Sequence, residues 1–218
     1  MTEKNLITSA ELFVQERLGD EATGHDWWHA NRVRNVALQI HDVEGGDKNV
    51  IELASLLHDV GDRKVINEEN DNYAIAEDFL RAHEVGAATI NSVMYVIQNI
   101  SYSKSIGTEE VEKPIELQIV QDADRFDALG AIGIARAFAF GGSRGRPIYD
   151  PTYSAQVFAS TADYKAADGS TLHHFDEKLF LLKDKLNTET AKRIAEERDA
   201  YMHEFYSRFL EEWEGNIS

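Results

Sequence analysis

Apolar residues recur along the chain at three- and four-residue intervals, the spacing of one face of an α-helix. Leu6, Ala10, Phe13 and Val14 mark a first stripe, which predicts a helix over Ser9–Leu18 with Thr8 and Glu11 as its capping box. His29, Val33, Val36, Ala37 and Ile40 mark a second, in a helix that starts near Asp26, runs to Glu44 and ends at Gly45-Gly46. A third, nearly all apolar, covers Lys48 to Val60 and stops at Gly61. Two more follow over 71–83 and 87–101, with inner stripes Tyr73, Ala76, Phe79, Leu80 and Ile90, Val93, Met94, Ile97. The segment 115–131 is predicted as one helix with Val120, Asp124, Asp127, Ala128 and Ala131 on a face, continued by apolar Ile132–Phe140. Between 141 and 170 the helical pattern lapses, as in a long lid-like loop. Helix resumes over 171–186, and Thr188 starts the last one, to Trp213, with Ile194, Ala195, Tyr201, Phe205 and Phe209 as its core stripe. The expectation is all-α: one globular helical bundle over residues 1–218, without repeats or a convincing domain boundary, the helices of about 171–213 packing on it.

Ionisable residues interrupt this pattern where they are expensive. In Leu53-Ala-Ser-Leu-Leu-His-Asp-Val-Gly-Asp62, His58 shares the stripe of Val50, Ala54 and Leu57, and Asp59 follows about a hundred degrees round the helix. His29 points into the same core from the preceding helix, and Asp124 breaks an otherwise apolar stripe. Buried ionisable groups need a partner or a metal. Taken alone, His58-Asp59 also reads as a satisfied core histidine beside a capping acid. With His29 and Asp124 facing them, the four supply two imidazoles and two carboxylates for one cation. His25, four residues before His29, lies at the helix start, where such spacing fails. Asp26 is either an N-cap or a group that orients a histidine, and Trp27 and Trp28 are assigned to core and pocket wall. His83 stands in a polar run and is expected to be exposed; no histidine follows four residues later, so the zinc-protease helix motif is missing.

Composition narrows the partners. A formal net charge of −17 argues against a nucleic-acid polymer or an anionic membrane, both of which need a basic face. A small anionic substrate stays open, because a bound cation reverses the local field. There is no cysteine, hence no disulfide, thiolate zinc site or thiol nucleophile. Met1–Leu6 is polar, without the apolar core of a signal peptide, and no run reaches a membrane span, so a cytoplasmic protein, monomer or homodimer, is expected.

His29 in HxxRV, His58-Asp59 in LLHDVGD and Asp124 in DADRFDALGA, in that order on helices, resemble the HD-domain metal-dependent phosphohydrolase superfamily. GHDWWHANRV and the tail from His173 to Trp213 are similar to a stand-alone bacterial subgroup of it, so the resemblance covers about residues 5–214. It implies an all-helical bundle with its metal-site core at about residues 20–135, one divalent metal, and hydrolysis of a phosphoester or phosphoanhydride, most often in a nucleotide. Two-metal members carry two further histidines between the HD pair and the last Asp; here His83 stands alone in that interval, which implies one ion.

The implied ligands are His29, His58, Asp59 and Asp124, with Mn²⁺, Mg²⁺, Fe²⁺, Co²⁺ and Zn²⁺ all chemically acceptable. Such an ion acidifies a water nucleophile and polarises the phosphorus–oxygen unit. Asp59, and Asp62 as proton handler, form the catalytic set. Asp127, Asp122 and Asp26 are candidates for orienting the histidines, and Arg32 and Arg125 for structural ion pairs. Lys64, Lys178 with its i, i+4 neighbour His174, and Arg144 and Arg146 between glycines are candidate contacts to a small phosphorylated substrate; Lys64 and the two arginines also read as solvated loop residues. Two rivals are a sensor that binds a nucleotide without cleaving it and an iron oxygenase, the latter short of histidines.

Overall fold

The computed structural model describes residues 3–19, 26–61, 73–100, 112–156 and 169–216. Among them it has nine α-helices and no strand: α1 (Glu3–Leu18), α2 (Trp27–Glu44), α3 (Lys48–Leu57), α4 (Ala74–Ala82), α5 (Ala87–Asn99), α6 (Ile115–Phe126), α7 (Gly130–Ser143), α8 (His173–Glu177) and α9 (Glu189–Trp213). The all-α expectation therefore holds for these residues. None of their helices is long and apolar enough to cross a membrane. The chain divides into two compact units, Met1–Asp124 and Arg125–Ser218.

The first unit is built round α3, which packs on α1, α2 and α5. Every residue from Val50 to Leu57 is buried, and a helix apolar nearly all round can only be a central one. The carboxylate of Asp47 caps it, accepting from the amides of Asn49 and Val50. Just before the cap, Gly46 turns at φ +94°, and a Cβ there would meet Ile115 Cγ2 at 3.0 Å. The carboxylate of Glu116 accepts from the Asp47 amide, and Gln121 donates to the Asn99 carbonyl, so α6 is tied to both α3 and α5. One part-buried ion cluster crosses three helices: Arg34 on α2 donates to Glu52 on α3 (2.7 Å) and to Glu11 on α1 (2.6 Å).

Helix α1 starts at Glu3, not near Ser9. Ile7 extends the buried stripe of Ala10, Val14 and Leu18 backwards, so Thr8 is an exposed interior residue and the expected capping box does not form. Helix α3 stops at Leu57, earlier than Val60, and His58–Gly61 form a turn. Helix α4 runs 74–82, its expected start at 71 lying outside the described residues, and α5 ends at Asn99.

In the second unit α7 packs on α9. The continuous helix expected over 115–140 is broken: α6 ends at Phe126, and α7 begins at Gly130, whose φ of +68° and close approach to Arg198 suit glycine. The break leaves Asp127 in the turn after α6, outside the helix it was expected to belong to. Arg198 donates to the Phe126 carbonyl (3.1 Å) and lies over the Phe126 ring, which holds the break in place. The helix expected over 171–186 is also divided. After α8, Lys178 departs to φ −147°, and two 3₁₀ turns, Leu179–Leu181 and Lys183–Lys185, follow. Their three-residue period points Leu179 and Leu182 inward and leaves Leu181 exposed. Thr188 caps α9 and Ala195 is buried as expected, but Tyr201 is 48% exposed and is no core residue, and Met202 is buried in its place. The described part of the 141–170 loop is anchored. Pro147 and Ile148 accept from the Thr171 and Leu172 amides, and the rings of Tyr149 and Tyr153 both pack on His173.

Replacing Arg34 with Ala leaves Glu52, 7% exposed, without its guanidinium. Loss of one partner of a fully buried ion pair costs about 3–5 kcal/mol, and with Arg34 18% exposed the cost here is smaller, so Arg34→Ala is expected to lower the urea midpoint, and the double change Arg34→Met, Glu52→Leu to recover much of the loss.

Candidate metal centre

Local chemistry at two helix ends sets the site, all of it in the first unit. The Asp26 carboxylate accepts from the His29 amide at 2.8 Å, so the cap that starts α2 also sets where His29 enters the core. His29 is 1% exposed. At the other end, His58 follows the last residue of α3, and its Nδ1 lies 2.8 Å from the Ser55 carbonyl. A carbonyl only accepts, so Nδ1 donates to it and Nε2 is the ring nitrogen presented to the core. That bond also satisfies one of the carbonyls a helix end leaves open.

The Nε2 atoms of His29 and His58 stand 3.2 Å apart. Asp59 Oδ2 is 3.3 Å from the first and 3.4 Å from the second. Asp124 Oδ1 lies 3.4 Å from His29 Nε2 and 3.9 Å from His58 Nε2. His29, His58 and Asp59 offer donor atoms mutually within 4.8 Å, and Asp124 joins through the two histidines. Donors about 2.1 Å from one cation are roughly 3.0 Å apart at right angles and roughly 3.4 Å apart at the tetrahedral angle. Four of the five separations fall at or between these values, and the His58–Asp124 separation corresponds to a wider angle. Two imidazoles and the Asp59 carboxylate in buried space, with the Asp124 carboxylate a third exposed beside them, fit a divalent ion in both charge and spacing.

Burial by itself would raise the Asp124 carboxyl, but the hydrogen bond with His29 and the charges that His58 and His29 can carry outweigh it, against an opposing push from Asp59. The net direction is below the usual carboxylate range, so Asp124 is an anion at neutral pH.

Other candidates are placed differently. Asp26 acts through the His29 backbone, as a cap. Asp127 is buried and pairs with Arg136 (3.0 Å), in the second unit. Asp122 is wholly buried on α6, two residues before Asp124. Arg125 is structural, donating to the Lys185 carbonyl (2.6 Å). Trp28 is 62% exposed and belongs to no core, whereas His83 is half-buried, bonded to the Phe79 carbonyl and packed at a tilt against the Phe79 ring. Asp62, Lys64 and His25 lie outside the described residues. Arg144, Arg146, His174 and Lys178 belong to the second unit, where Arg144 rests over the Phe140 ring and the other three associate. The Ser55 carbonyl went unread in the sequence, since any residue at that position offers the same atom.

With this geometry in place, the comparisons with known proteins are unambiguous about kinship. An HD domain profile matches residues 27–129. The uncharacterized protein YpgQ of Bacillus subtilis is 35% identical over 217 residues, covering 100% of this chain and 96% of its own. A crystal structure of a Lactobacillus plantarum protein matches with a TM-score of 0.84 at 35% identity, covering 99% and 100% of the two chains. An HD-superfamily hydrolase from Bacillus thuringiensis matches with a TM-score of 0.77 at 39% identity, covering 98% and 99%. The chain belongs to the HD-domain superfamily, with the fold of its hydrolases and a His-His-Asp cluster able to hold a divalent metal.

His174 provides a pH prediction. Burial first, then the charges of Lys178 and Arg146, lower its pKa from 6.5 to about 3. A histidine with a depressed folded pKa contributes fully above its unfolded value, and that contribution is lost as pH falls from 6.5 towards about 3. Wild-type stability should therefore decline over that window more steeply than that of His174→Gln, as measured by urea unfolding at several pH values.

Proposed function

We propose that this protein is a metal-dependent phosphohydrolase that cleaves a phosphoester or phosphoanhydride bond in a small phosphorylated metabolite, most plausibly a nucleotide. The observation that carries the reading is the convergence of His29, His58, Asp59 and Asp124, with five donor separations between 3.2 and 3.9 Å. These four are the proposed ligands of one divalent cation, with Mn²⁺ the first choice to test. When bound, such an ion supplies Lewis-acid polarisation of a phosphoryl oxygen and a water nucleophile at neutral pH.

The chain's own residues do the rest. The Ser55 carbonyl holds the His58 ring in one tautomer, and the Asp26 cap holds the start of α2, so both imidazoles are oriented before any ligand arrives. Asp124 stays ionised and keeps the site anionic. Asp59 is shared between both histidines and is the proposed catalytic carboxylate beside them. Asp62 remains the proposed acceptor of the nucleophile's proton, and Lys64 a proposed phosphate contact, on the strength of their places directly after the HD pair. A nucleotide substrate is supported by a relative: Bacillus subtilis YpgQ has been crystallised in complex with ADP, and that structure is 33% identical to this chain with a TM-score of 0.74. The full-length match to YpgQ, rather than the 27–129 profile alone, supports residues 1–218 acting as one HD domain.

The test is an assay of purified protein against nucleoside mono-, di- and triphosphates with Mn²⁺, products identified by ³¹P NMR. Changing an outer-shell group of a metal site costs about 10–100-fold, so loss of a ligand by His58→Ala or Asp124→Asn should cost at least that much, and chelation should abolish turnover. Equal turnover by wild type and His58→Ala would refute the reading. Tight nucleotide binding with no product would support a sensor instead.

A further inference from the structure

Three consecutive residues open α2, and the structure sends them in different directions. Successive positions of an α-helix lie about 100° apart, so Trp27, Trp28 and His29 fan round its first turn. His29 goes to the core and is 1% exposed, whereas Trp28 is 62% exposed. Trp27 is half-buried, and its ring lies 6.4 Å from that of Trp28 at a tilt of 53°. Long side chains of a helix lean towards its N-terminus. In a first turn they lean past the start of the helix, so no preceding turn covers the Trp28 indole.

The metal centre opens beside the same residue. Side-chain exposure is 2% for His29 and His58 and 9% for Asp59, but 33% for Asp124. Solvent therefore reaches the donors past Asp124, whose Oδ1 is 3.4 Å from His29 Nε2. His29 borders this opening through its ring and carries Trp28 as its backbone neighbour, the two Cα atoms being about 3.8 Å apart. A ring fixed one residue from a metal ligand is within the span of one nucleotide from phosphate to base.

An exposed tryptophan can also answer to a partner protein, but such a surface is a contiguous apolar patch. Val43, the other exposed large apolar side chain of α2, stands at the opposite end of that helix. Indole carries no charge, so it attracts neither phosphate nor metal. What it offers is a flat π-face, which suits another flat ring.

We propose that Trp28 is the platform on which the base of a nucleotide stacks while its phosphates lie at the metal centre. The choice of a base as occupant rests on the nucleotide reading above. Every base has a π-face, so this residue separates nucleotides from base-free phosphates and does not separate one base from another. Trp27, tilted against it, restrains the Trp28 ring and reduces the ordering that binding requires.

The test uses the full-length protein labelled with 5-fluorotryptophan, its three tryptophan signals assigned by single Phe substitutions. ADP and pyrophosphate are titrated separately in the presence of diamagnetic Mg²⁺ and followed by ¹⁹F NMR and calorimetry. ADP should displace the Trp28 signal well beyond any displacement by pyrophosphate. Removing an aromatic stacking partner weakens binding by about five- to hundredfold, so Trp28→Ala should weaken ADP binding by that factor and leave pyrophosphate affinity as in the wild type. Trp28→Phe should retain most of the ADP affinity. In turnover, Trp28→Ala should raise KM for nucleotides more than it lowers kcat, since a group remote from the reacting phosphorus binds ground and transition states alike. Equal displacement by ADP and pyrophosphate, or wild-type ADP affinity in Trp28→Ala, would overturn the platform. So would equal loss of ADP and pyrophosphate affinity, which would place the effect at the metal centre. If Trp28→Ala folds poorly, the wild-type ¹⁹F titration and Trp28→Phe decide the matter. Nucleotide turnover with a still Trp28 signal would overturn the platform alone, and displacement of that signal by ADP without metal-dependent turnover would refute the phosphohydrolase alone.

Discussion

A helix buried on every side can carry ionisable groups only at its end, and that constraint organises the first unit. Helix α3 leaves no solvent-facing side on which His58 and Asp59 could be parked. They emerge where the backbone stops being helical, and the His58 ring turns back to take the Ser55 carbonyl. The same bond therefore closes the helix, fixes a tautomer and aims a nitrogen. His29 and Asp124 have to meet it, because isolated they would be costly to desolvate. Together the four form a site whose members are tolerable only in one another's company, and whose charge calls for a cation.

Rigidity around this point comes from polar groups as much as from apolar packing. The Asp26 cap sets the entry of α2, the Asp47 cap sets the entry of α3, and Arg34 draws α1 and α3 onto α2 through two carboxylates. A metal site needs donor positions reproducible to a fraction of an ångström. Capping and buried ion pairs deliver that, since each has one satisfactory geometry and hydrophobic contact tolerates many.

The second unit uses different means. Its core is aromatic, with Phe138 against Phe175, Phe205 and Phe209, and Tyr149 and Trp213 adjoining Phe209. His173 is held between Tyr149 and Tyr153, which fastens the chain after Arg146 to the turn before His174. A stretch without helical periodicity is thereby anchored along its described length, and the basic residues on it acquire fixed neighbours.

Periodicity alone was enough for the all-α class, for the stripes of α2 and α5, and for the inward histidines, because a 3.6-residue repeat of apolar side chains has one way to be buried. The polar exceptions within those stripes were enough to single out His29, His58, Asp59 and Asp124. Other features depended on contacts between residues far apart in the chain. The break at Phe126, which sends Asp127 to Arg136, depends on Arg198 some seventy residues later. The exposure of Tyr201 and Trp28, the 3₁₀ winding after Lys178, and the meeting of Arg146 with His174 likewise answer to packing partners that local spacing does not contain. Which residues face inward is a local property of the repeat; what they meet there, and where a helix must stop to let them meet, is settled only when the elements are brought together.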